Sequence, residues 1–246
     1  MRWSRAGGAR AAADSQSPSA TEQRLRSDAA MAGLGIVFVN IDWKKSRHAT
    51  VGAERRNLEV LKATVTSIVT EMNPALICFS EFGEVGHPLP DEVIPRLQDA
   101  IESAWQEAAL ATEQGLASGG LAFVHPLGEP YLSAWRPERI ECRHHAVLTD
   151  LYQASGEPRT AQMFLVTAPG EKDEEGINVI NVHAPSGGNR LTDPKRRQLM
   201  QAMLQSTSLR DKGLALGHDA FIIGGDMNTG ELLMSQLLKS LSLIHI

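Results

Sequence analysis

The chain has 246 residues, 42% hydrophobic and 22% charged, with a formal net charge of −5 and two cysteines. That length can bury a full core, and the composition excludes a disordered or collagen-like chain. No apolar run approaches the roughly 20 residues that span a bilayer, two cysteines exclude a disulfide framework or a multi-cysteine zinc site, and the negative balance argues against nucleic-acid binding through bulk charge, though a local basic groove stays open. These bounds predict a soluble, intracellular domain.

Residues 1–33 carry no hydrophobic periodicity and are rich in Ala, Gly, Ser and Arg. Arg2, Arg5, Arg10, Arg24 and Arg26 outweigh Asp14, Glu22 and Asp28. Such an acid-poor segment reads as a disordered tail, as an organelle-targeting leader, or as upstream sequence ahead of a start at Met31. The first element is the β-branched and aromatic run of residues 35–40, a buried strand. From Ala53 to Met72, Leu58, Leu61, Val65, Ile68, Val69 and Met72 form one helical stripe, and Asn73-Pro74 ends it. Residues 75–80 form a second buried strand closing at Glu81. Strand, helix and strand with short joins predict a βαβ unit with parallel strands, which puts Asn40 and Glu81 at neighbouring carboxyl ends, where open α/β sheets collect ligands.

A second amphipathic helix starts at Asp91. Short strands at 131–135, 140–149, 160–167 and 177–182 follow in direct succession and predict an antiparallel meander. Asp193-Pro194 opens another helix, and Phe221–Ile223 is a strand followed by a turn over Gly224-Gly225-Asp226-Met227-Asn228. Thr229 caps a last helix. The layout is α/β, with sheets sandwiched between helices. Residues 241–246 (LSLIHI) resemble a translated sequencing-adapter end, so a non-native tail is expected there and the domain is taken as 34–240.

Five residues at strand ends share one chemical character: Asn40, Glu81, His183, Asp226 and Asn228. Taken singly, each is ordinary turn or cap chemistry. Together they suit a hard cation that takes carboxylate and amide oxygens beside a phosphate. His183 can donate to a phosphate oxygen, and Asp226 with Asn228 can orient or deprotonate a water. That is a set for metal-assisted phosphoester hydrolysis.

VFVNIDW (37–43), LICFSEFGE (76–84), INVHAPSGGNR (180–190) and FIIGGDMNTGE (221–231) resemble, in order, signatures of the endonuclease/exonuclease/phosphatase superfamily, with GGDMN the most specific. The resemblance implies a four-layer α/β sandwich, two β-sheets packed between helices. It implies Glu81 and Asn40 as the metal site, for Mg²⁺ or Mn²⁺, and His183, Asp226 and Asn228 as catalytic residues. The implied substrate is a phosphoester, in nucleic acid or in a phospholipid or inositol phosphate head group. The leading expectation is a Mg²⁺-dependent nuclease or phosphodiesterase. One departure bears on it: nothing matches the family's closing Ser-Asp-His element or the last strands of its second sheet. The expectation is therefore a truncated, poorly stable and nearly inactive chain, since an acid–base partner contributes about 10²–10⁴-fold. The alternatives are a catalytically inactive binding module and a phosphoinositide- or sphingomyelin-directed phosphoesterase of the same fold.

Other features carry less. Lys195-Arg196-Arg197 reads as a solvated face, Arg190, in the loop after His183, as the better phosphate candidate on position, and Cys78 as an inert core thiol. His144-His145 lie in a strand, where neighbours point to opposite faces. No GxxxxGK loop or GxSxG elbow is present.

Overall fold

The computed structural model describes residues 35–41, 51–84, 87–88, 92–111, 120–126, 130–149, 160–172, 176–184, 194, 198 and 221–226. Ten strands and two long helices fall within them: β1 (Ile36–Asn40), α1 (Val51–Met72), β2 (Leu76–Ser80), β3 (Gly83–Glu84), β4 (His87–Pro88), α2 (Val93–Ala111), β5 (Ala122–Val124), β6 (Leu132–Trp135), β7 (Glu141–Leu148), β8 (Ala161–Thr167), β9 (Ile177–His183) and β10 (Phe221–Asp226). Pro194 and Gln198 are helical, as the Asp193-Pro194 start predicts. The expected segments 1–33 and 241–246 and the last helix lie outside the described residues.

The helix that sequence periodicity places at 53–72 stops where predicted. Asn73 takes a left-handed φ of 43°, its N–H donates to the Val69 carbonyl at 3.0 Å, and Pro74 follows. An asparagine tolerates that conformation better than a branched residue. The same loop is tied to the next hairpin: Arg136 Nη1 donates to Asn73 Oδ1 at 3.0 Å and Arg139 Nη1 to the Asn73 carbonyl at 2.7 Å.

Two four-stranded mixed sheets face each other. The first has the order β1-β2-β6-β5 and the second β10-β9-β8-β7, with β3 and β4 as a separate pair. β1 pairs parallel with β2, confirming the βαβ reading, and β10 pairs parallel with β9. Side-chain alternation then assigns the layers. Ile77, Phe79, Leu132 and Ala134 point to the helices and pack with Leu61, Val65, Leu97, Ile101 and Trp105. Leu76, Cys78, Phe164, Val166 and Val179 fill the space between the sheets, with Phe38 and Trp135 against them. Each such aliphatic or aromatic side chain contributes about 1.5–3 kcal/mol by leaving water.

β8 is buried along both faces. Met163, Leu165, Ile180 and Val182, directed away from the first sheet, are all at 0% exposure. That is the burial a fourth layer requires. No helix among the described residues is long and apolar enough to cross a membrane.

Three expectations change. Only β7, β8 and β9 form the meander; β6 pairs with β2 and β5 in the other sheet. Direct succession signals short loops but does not say which sheet a strand joins. Gly224, Gly225 and Asp226 belong to β10 rather than to a turn. β7 also shifts register between Arg143 and Ala146, so strict alternation is interrupted at His144-His145.

Candidate active site

Both parallel pairs end at the same edge. Asn40 is the register partner of Ser80, and Asp226 that of His183. Because β1 packs on β10 and β2 on β9, the two carboxyl ends meet across the gap between the sheets.

Glu81, the residue after β2, has φ +65°. A non-glycine residue held in the left-handed region costs of order 1–3 kcal/mol and persists only where its surroundings enforce it. Here they do. The Phe82 N–H donates to the Pro130 carbonyl at 3.1 Å, and the Ile41 N–H to the Ser80 carbonyl at 3.1 Å. Phe82 itself is fully buried, its ring centroid 5.8 Å from that of Phe79. The chain reverses at Glu81 while Phe82 anchors in the helix-side core, and the Glu81 side chain ends 3% exposed.

On the second sheet, the Ala184 N–H donates to the Asp226 carbonyl at 2.7 Å and closes the end of the β9–β10 pair. The preceding glycine explains part of the GGD motif. A Cβ on Gly225 would lie 1.9 Å from the Val182 carbonyl oxygen, and its φ is +123°. Only glycine lets the backbone before Asp226 come this close to β9.

Four of the five expected residues converge. Asn40 Nδ2 donates to Asp226 Oδ2 at 2.6 Å. His183 Nε2 lies 2.5 Å from Glu81 Oε1, both side chains being buried. One ligand atom each from Glu81, His183 and Asp226 fall within 4.8 Å of one another. Asn228 lies outside the described residues, as do Arg190 and Lys195-Arg196-Arg197. The structure thus sets His183, expected to meet phosphate, against Glu81.

Two carboxylates this close, one of them buried, favour a positive partner between them. The donors are carboxylate oxygens, an amide and an imidazole, without a thiolate, a set that fits a hard divalent cation. Cys78 offers no competing nucleophile: burial pushes its thiol up to about 12.

Sequence reasoning overlooked two residues. Asn181, two positions before His183, is fully buried and its Nδ2 donates to the Phe79 carbonyl at 3.1 Å. Tyr131 Oη donates to the Thr160 carbonyl at 2.5 Å. A signal for the first was available, since an asparagine inside the apolar run of β9 must find a partner.

No protein-family model matches the sequence, and no curated protein does. Solved structures match in fold. An endonuclease/exonuclease/phosphatase family protein from Bacteroides thetaiotaomicron superposes with a TM-score of 0.50 and 9% identity over 84% of this chain and 68% of that one. A mannosyl-6-phosphatase of the same species gives a TM-score of 0.50 and 10% identity over 82% and 70%. TDP2 from D. rerio, complexed with a single-strand DNA product, gives 0.48 and 15% identity over 83% and 64%. Across the TDP2 structures from D. rerio and C. elegans, this chain spans 55–66% of the matched chain's length. At such identities the likeness is one of fold. The chain is an α/β protein with two mixed sheets and flanking helices, and its fold is that of the endonuclease/exonuclease/phosphatase superfamily.

Proposed function

We propose that the chain is a Mg²⁺-dependent phosphoester hydrolase, with Mn²⁺ as an effective substitute, acting on a phosphodiester of nucleic acid. The observation that carries the reading is the meeting of Glu81, His183 and Asp226 from two different sheets within 4.8 Å. A buried carboxylate brought against a histidine and a second, half-buried carboxylate is a candidate functional site.

In this reading Glu81 and Asn40 hold the cation. Asn40 points its amide nitrogen at Asp226, which orients the carboxylate and leaves the amide oxygen as the group for the metal. A divalent cation held there would supply Lewis acidity to a phosphoryl oxygen and offset the developing negative charge. Asp226 accepts a proton from the attacking water as the new O–P bond forms. The bond to the leaving oxygen breaks, and that oxygen takes a proton from solvent water. His183 donates to a phosphate oxygen, and Asn228 orients the water or the phosphate.

The test is a Mg²⁺ titration of cleavage over plasmid DNA, RNA, a phosphoinositide and a sugar phosphate. Metal-dependent cleavage of a nucleic acid, abolished by Glu81→Gln, is the expected result. Turnover by Glu81→Gln at the wild-type rate refutes the metal role, and cleavage confined to the lipid or sugar phosphate moves the substrate class.

A further inference from the structure

The two halves of the site belong to different sheets, so something must set the distance between them. Apolar packing is non-directional, whereas a hydrogen bond fixes both distance and angle. A buried polar set lies directly behind Glu81 and His183. Ser133 on β6 donates from Oγ to Gln162 Oε1 on β8 at 2.9 Å, across the sheet gap. Asn181 Nδ2 on β9 donates back to the Phe79 carbonyl on β2 at 3.1 Å. Ser133 is the register partner of Cys78, beside Phe79, and Gln162 is the register partner of Asn181.

All three side chains are at 0% exposure. The two bonds use the Gln162 oxygen and the Asn181 nitrogen. What remains is one buried donor, Gln162 Nε2, and one buried acceptor, Asn181 Oδ1. Direct cross-strand neighbours are within side-chain reach, and the leftover groups are complementary. The two bonds that are made run from sheet one to sheet two through Ser133 and back through Asn181.

Resting on the hydrolase reading for its kinetic consequences, we propose that Asn181 is the positioning residue of the site: with Gln162 and Ser133 it clasps the two sheets and fixes the Glu81 side chain against His183. Its leverage is direct. The bonded carbonyl is two residues before Glu81, and Asn181 is two residues before His183. Tyr131 provides a parallel tie. Its neighbour Pro130 holds the Phe82 N–H, and its hydroxyl bonds Thr160, the residue preceding the Val182 partner Ala161.

The experiment compares Asn181→Leu, which keeps the γ-branched outline and removes both amide groups, with Phe164→Leu, a truncation in the same inter-sheet layer. In the crystal structure of Asn181→Leu, the Glu81 Oε1 to His183 Nε2 separation is expected to open past hydrogen-bonding range, about 3.5 Å. On a phosphoester that wild type cleaves, kcat falls by about 10²-fold and KM shifts by less than about threefold, since misplacement of reacting groups acts on the chemical step. Phe164→Leu, at equal or greater loss of Tm, keeps both constants and the separation. Should Asn181→Leu fail to fold, Tyr131→Phe carries the same comparison with a smaller loss of kcat. An unchanged 2.5 Å separation in the variant, or an equal kcat loss in Phe164→Leu, overturns the proposal. A wild type that hydrolyses nothing refutes the hydrolase reading instead, and the separation still decides the clasp.

Discussion

Replacing Gly225 by alanine tests the geometry that delivers Asp226. The added Cβ would sit 1.9 Å from the Val182 carbonyl oxygen and 2.9 Å from its carbon and nitrogen, all backbone atoms that cannot rotate away. Relief requires parting β10 from β9 by about an ångström, because real Cβ contacts under 3.0 Å essentially do not occur. Overpacking of this kind costs about 1–3 kcal/mol, and the φ of +123° adds roughly another 1–3 kcal/mol for a residue with a Cβ. The expected loss is about 2–6 kcal/mol, a large share of the roughly 5–15 kcal/mol typical of a domain. Gly170 is the matched control. Its φ is +79° but nothing lies within 4 Å of its would-be Cβ, so alanine there costs only the conformational part, about 1–2 kcal/mol. Urea unfolding followed by tryptophan fluorescence measures both. If Gly225→Ala loses no more than Gly170→Ala, the close approach of β10 to β9 is wrong, and with it the placement of Asp226.

Three further outcomes follow from named contacts. Asn40→Ala removes the donor that orients Asp226 and is expected to weaken Mn²⁺ binding about 10–100-fold in calorimetric titration; unchanged affinity refutes that role. Asn73→Ala loses both the αL-tolerant residue and the Arg136 acceptor and should lower stability by about 2 kcal/mol, read by urea midpoint. Burial pushes the Cys78 thiol up from 9.0 to about 12. Its contribution to stability is therefore complete below about pH 9 and is lost as pH climbs toward 12. Cys78→Ala should flatten that part of the stability profile, and an identical alkaline slope in the variant refutes the assignment.

The strand-end residues were legible because each follows an apolar run that can only be a buried strand. Leu76–Ser80 before Glu81 and Ile177–Val182 before His183 needed no tertiary information. The parallel pairing of β1 and β2 was legible for a related reason, since a helix between two strands with short joins leaves little choice. β5 was not read, because Ala122–Val124 is three residues long and gives periodicity nothing to work on. β6 was assigned to the wrong sheet, because sheet membership depends on where Arg136–Ile140 turns the chain. The Glu81–His183 contact was beyond sequence reasoning for a stronger reason: the two residues are far apart in sequence, and only the docking of two sheets makes them neighbours.

That division of the site has a consequence in time. Asn40 and Glu81 are synthesised early, and His183 and Asp226 late, with residues 184–220 lying between the two strands that must pair. Each sheet can acquire its hydrogen bonds while the cleft does not yet exist. On refolding, helical and strand ellipticity should therefore return ahead of cation binding, and binding would serve as a clock for the final docking event. A chaperone or a cold shock that delays only that event would leave a population rich in secondary structure and devoid of chemistry.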